Sequence, residues 1–167
     1  MTVPIKYKTR EKTTRVILHD SHTRPDVCCT EDVPRWSVLA HEGGLKMGIL
    51  SIGYHAIIER DGTRVMCRGL DLIGSHTPGH NMDSIGVCLV GGREEDGGEG
   101  VDNFTQEQRR EFLRFFYELT QTYGPLRLEG HSEVQRFRHR DHPPCPPLDM
   151  DLLREDAALF AQGIDLG

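Results

Sequence analysis

The 167-residue chain has no apolar run approaching the roughly 18 residues of a membrane-spanning helix. It has no CxxC and no HExxH, the compact spacings of many zinc sites. It has no basic excess: its formal net charge is −6 at pH 7. That argues against nonspecific binding to a nucleic-acid backbone, which needs a positive surface. Neither a nucleic acid nor a membrane is therefore an expected direct partner. The opening segment MTVPIKYKTREKTTRVILHD lacks the apolar stretch that follows the basic residues of a Sec-type signal peptide. Synthesis and folding in a cytosol are expected. Cysteines number five, an odd count, and with no export signal a disulfide framework is not expected. Adjacent Cys28 and Cys29 are read as reduced thiols. The single tryptophan, Trp36, and the aromatic stripe of the longest helix are read as core, not as a surface on which bases stack.

Hydrophobic residues make up 37% and charged residues 28%, a globular balance at a length that suits one core. No internal repeat is present. RVIL, from Arg15 to Leu18, reads as a short strand ending at His19. TEDVPRWSVLAHEGG reads as a helix capped by Thr30 and stopped at Gly43. IGYHAIIERDGTRVM reads as a hairpin: Ile52 to Ile58, a turn at Asp61-Gly62, and a return through TRVM. SIGVCLVGG is a continuous apolar run of the kind found in strands buried on both faces. A glycine-rich acidic loop follows it. The clearest helix spans Thr105 to Tyr123. Its apolar residues fall at helical spacing, Thr105 and Gln108 form a capping box, and Gly124-Pro125 ends it. LRLEGH is a further strand leading into His131, and a last helix covers Met150 to Phe160. Strands alternating with helices predict an α/β fold: a single domain with a central mixed β-sheet flanked by helices. The expected boundaries are an N-terminal extension over 1–14, the domain over 15–162 and a tail over 163–167.

His19 and His131 both fall at strand ends, where α/β proteins tend to place sites. Cys145 sits in PPCPP, where prolines restrict the backbone. Two imidazoles and a thiolate are an ordinary zinc set, and three protein ligands leave one position open. Spacing alone leaves other readings standing: a core cysteine, a capping histidine, surface histidines.

VILHDSHTRP, GYHAIIERDGT, GSHTPGHNMDSIGVCLVGG, NFTQEQ, GHSEV and CPPLD occur in an order that resembles the bacteriophage amidase-type lysozymes. These are zinc-dependent N-acetylmuramoyl-L-alanine amidases related to the peptidoglycan recognition proteins. The similarity runs from about Arg15 to Asp149. It implies that His19, His131 and Cys145 hold Zn2+. It implies that Tyr54 assists catalysis beside the metal and that His76 belongs to the substrate cleft; His80 and Asn81 are read as lining that cleft. Peptidoglycan is the implied substrate. Phage RNA polymerase is a further implied partner, for which the N-terminal segment is available. A monomer is expected, accumulating in the host cytoplasm and reaching the wall once the membrane is permeabilised.

The resemblance fails at one point. The phage group carries a lysine two positions before the ligand cysteine. Pro143 stands there in this chain, and no lysine follows Lys46. His142 is the nearest replacement for the missing cation, with His139 and Arg140 as alternatives. His22, three residues after His19, is expected to face solvent. His55 is expected to be packed on the face opposite Tyr54.

Overall fold

In the computed structural model, residues 7–29, 52–95, 99–135 and 144–166 are described. The helix expected over 30–43, Trp36, His139, Arg140, His142 and Pro143 lie outside them.

Five strands form one sheet in the order β3-β2-β4-β1-β5: β1 Arg15–Asp20, β2 Ala56–Ile58, β3 Arg64–Met66, β4 Ser84–Leu89 and β5 Arg127–Gly130. β4 pairs parallel with β1 and β2, and β1 pairs parallel with β5. Only the β2–β3 hairpin is antiparallel, so the sheet is mixed, as expected. SIGVCL is buried throughout, which fits its place between two parallel neighbours. β2 is shorter than Ile52 to Ile58. Gly53 instead accepts a hydrogen bond from the Ser75 backbone, and a Cβ there would meet Ser75 O at 1.9 Å.

The two faces of the sheet differ. Val16, Leu18, Ala56, Ile58, Ile85, Val87 and Leu89 point into the larger core. Phe112, Leu113, Phe115 and Leu119 of α1 (Gln106–Tyr123) and Leu153 of α3 (Met150–Ala161) cover that face. The alternate residues Ile57, Cys88 and, by strand parity, Ile17, His19 and Gly86 occupy the other face. The capping box of α1 is present: Thr105 Oγ1 accepts from Gln108 N, and Gln108 Oε1 accepts from Thr105 N. Gln108 is fully buried, and its Nε2 also donates to Ile58 O and Val90 O at 3.0 and 2.8 Å. One side chain thus ties the helix start to the ends of β2 and β4.

Residues 8–14, expected as part of an extension, run along the body of the fold. Lys8 O accepts from Ile73 N, and buried Arg10 bonds to the carbonyls of Leu70 and Leu72. All five cysteines are free thiols. Among the described residues no helix is long and apolar enough to cross a membrane.

Candidate metal centre

β1 and β5 are parallel, so their C-terminal ends share one rim of the sheet. The last residues of β1 include His19, and β5 runs directly into α2 (His131–Val134), whose first residue is His131. Cys145 arrives on a separate loop. That loop is fixed to α2, because Ser132 N donates to Cys145 O and Cys145 N donates to Ser132 Oγ. Ligand atoms of His19, His131 and Cys145 come within 4.8 Å of one another, and all three residues are buried. This is the triad the sequence pointed to, assembled from positions 126 residues apart at the extremes.

The hydrogen bonds behind the triad fix which nitrogen of each histidine faces the centre. Gln135 Nε2 donates to Pro78 O, which turns its Oε1 toward His131 Nε2 at 2.6 Å. His131 therefore carries its hydrogen on Nε2 and presents the Nδ1 lone pair. On the other side, Ser84 Oγ donates to His80 O, so it accepts from His76 Nε2 at 3.4 Å. His76 then presents Nδ1 as an acceptor, and His19 Nε2 donates to it at 2.9 Å. His19 in turn presents Nδ1. Second-layer partners of this kind orient metal-binding imidazoles and raise their basicity. Asp20 N lies 3.5 Å from Cys145 Sγ, within reach of a bond that would stabilise a thiolate.

His76 occupies a seat rather than an open wall. It is 9% exposed, and a Cβ on Gly86 would lie 2.4 Å from its Cδ2. Burial, and secondarily the neighbouring His55 and His131, hold its pKa well below the usual imidazole value. It is thus placed behind His19, not in front of it. His55 lies next to it, with ring centroids 6.0 Å apart. His55 accepts from Gly86 N and contacts Leu72 O at 2.8 Å, fully buried as expected. Burial pushes its pKa down to about 4. The Tyr54 ring is 5.0 Å from that of His19, so the structure brings Tyr54 to the triad. His80 is not brought there. Its Nδ1 is 3.1 Å from Arg15 Nη2, at the opposite end of β1 from His19. His22 differs from its expected solvent-facing place: with Asp20 and Cys145 it forms a second group of donors within 4.8 Å.

Gln135, Thr77 and Asp20 were not singled out from the sequence. Gln135 lies four residues after His131, one helical turn on, a signal that was available. Thr77 Oγ1, 2.9 Å from His76 Nδ1 and 3.3 Å from His19 Nε2, gave no comparable sign.

A buried set of two imidazoles and one thiol at a strand rim, with outer hydrogen bonds behind it, is of the kind that can hold a metal ion. The sequence profile of the N-acetylmuramoyl-L-alanine amidase family matches residues 9–146. The chain belongs to this family and is a peptidoglycan amidase. It is 35% identical to the endolysin of Escherichia phage T7 over 147 residues, 87% of this chain and 88% of that protein. It is 32% identical to the endolysin of Enterobacteria phage K11 over equal shares. In fold it is similar to N-acetylmuramoyl-L-alanine amidase LysC from Clostridium intestinale, with a TM-score of 0.68 and 20% identity over 93% of this chain and 95% of that one. Drosophila PGRP-LB is similar to the same degree, at TM-score 0.68 and 22% identity over 96% and 89%.

Proposed function

We propose that the chain is a zinc-dependent phage endolysin that cuts the amide between N-acetylmuramic acid and L-alanine. The observation that carries the zinc reading is the convergence of His19, His131 and Cys145 with both imidazoles oriented from behind. The donor set fits the ion: neutral nitrogens and a thiolate are normal zinc ligands, and three of them leave a position open. When bound, zinc would polarise the scissile carbonyl and make a water nucleophilic near neutral pH.

The chain's own residues do the rest. His76 and Gln135 hold the His19 and His131 rings in one orientation and fix their tautomers. Cys145, committed as a thiolate ligand, is not the attacking group. Tyr54 orients the attacking water or carries its proton. His142, beyond the described residues, is the proposed substitute for the lysine missing at Pro143. It would stabilise charge on the carbonyl oxygen or protonate the departing amine. In this reading the enzyme accumulates in the host cytoplasm and meets its substrate after the membrane has been opened.

The test is metal analysis beside digestion of purified peptidoglycan. Wild type is expected to carry zinc and release stem peptides with free L-alanine amino groups. Zinc-loaded protein that releases none would favour a binding module on the same fold.

A further inference from the structure

The end of β1 and the loop after it bring a second set of donors to the same sulfur. We propose that Asp20, His22 and Cys145 form a second divalent-cation site that shares the Cys145 thiolate with the first. The inference rests on the reading of Cys145 as a metal thiolate.

Three observations carry it. One ligand atom from each of Asp20, His22 and Cys145 lies within 4.8 Å of the other two. The Asp20 side chain is fully buried, and among the described residues its Oδ1 has no hydrogen-bond partner. Nor does any lysine or arginine pair with it there. Its other oxygen, Oδ2, faces the His22 imidazole. His22 Nδ1 sits 2.9 Å from Asp20 Oδ2, yet it also lacks a hydrogen-bond partner among the described residues. The two groups stand side by side, close enough for one ion to bridge them.

The backbone is shaped to keep them there. His22 adopts φ 55°, a left-handed conformation unusual for a residue with a Cβ. Its N–H donates to Asp20 Oδ2 at 3.2 Å. Gly92, at φ 91°, leaves the space that Asp20 fills: a Cβ there would lie 2.1 Å from Asp20 Oδ2. One carboxylate oxygen, one imidazole nitrogen and one sulfur select a borderline ion such as Zn2+ or Co2+ over Mg2+ or Ca2+. A thiolate has lone pairs for two ions. Repulsion between neighbouring cations makes the second the weaker.

The test is a titration of the whole, chelator-stripped chain with Zn2+ and with Co2+, followed by calorimetry and by the sulfur-to-cobalt charge-transfer band. Wild type is expected to take two equivalents, the second at least about tenfold weaker, with the band changing in both steps. His22→Asn tolerates the left-handed backbone and is expected to keep the first step and lose the second. Asp20→Asn is expected to do the same. A single equivalent in wild type overturns the second site and leaves the first standing. Two equivalents in both variants overturn it as well, as does loss of both steps in folded His22→Asn. No binding at all in wild type would sink the zinc reading itself.

Discussion

His19 Nε2 lies 2.9 Å from His76 Nδ1, and the His76 ring rests where a side chain on Gly86 would otherwise be. A glycine in the central strand therefore makes room for the ring that orients His19 on the neighbouring one. His76→Ala should lower zinc affinity by about 10–100-fold, the usual effect of losing an outer partner of a metal-binding histidine. Gly86→Ala should do the same by displacing the ring. Competition with a chelator measures the loss, and unchanged affinity in both variants would refute the positioning role.

Cys145→Ser should lose zinc and activity together. A hydroxyl does not replace a thiolate as a soft ligand, and loss of a ligand should exceed the ~100-fold upper effect of an outer partner. Metal content and stem-peptide release check this on one sample. Full turnover by the metal-free variant would exclude the proposed chemistry.

His142→Ala should keep its zinc and slow turnover by about 10²- to 10⁴-fold, the range of a positioned acid–base group. Equal rates for the variant and wild type would remove His142 from the mechanism and return the question to His139 and Arg140.

Stability should fall as the solution is acidified from about pH 6.5 to about 4. Folded His55 has its pKa lowered to about 4, so the unfolded chain binds more protons across that window. The stability is fully present above the unfolded value and lost as pH falls toward the folded one. The loss from this group is roughly 3 kcal/mol. The Leu72 carbonyl opposes this shift, the charges of Arg10 and Arg68 add to it, and buried His76 beside it is shifted the same way. Urea unfolding at pH 7 and pH 4.5 measures the difference. His55→Gln should shrink it, leaving the part due to His76.

Gln108→Ala should cost about 2–4 kcal/mol, because Ile58 O, Val90 O and Thr105 N each lose a buried partner. Thermal unfolding reads this directly, and a loss under about 1 kcal/mol would mean water replaces the side chain.

Local signals carried much of this structure. The Thr105–Gln108 capping box and the SIGVCL run each report their own element, and both stand as expected. His19 and His131 were legible because a strand end is visible in sequence. The seat of His76 was not, because it depends on Gly86 meeting a loop ten residues earlier, in a register no local pattern states. His80 lies four residues from His76, and its ring contacts Arg15 at the other end of β1 from His19, a contact between distant segments that no local pattern states. Residues 8–14 read as a polar tail because the carbonyls that bind Arg10 come from 70–72. His22 looked like a loop residue because nothing in HDSH reveals a cysteine 123 positions downstream.

The pairing of His19 with Cys88 and of Leu18 with Gly130 fixes more than the sheet. A slip of one residue along either edge would turn the imidazole into the greasy layer beneath α1 and put leucine or aspartate in its place. Such a slip would also pull Val16 and Leu18 out of the core, and the triad could not close. Correct strand alignment is thus a condition for assembling the site, before the loop that carries Cys145 can complete it.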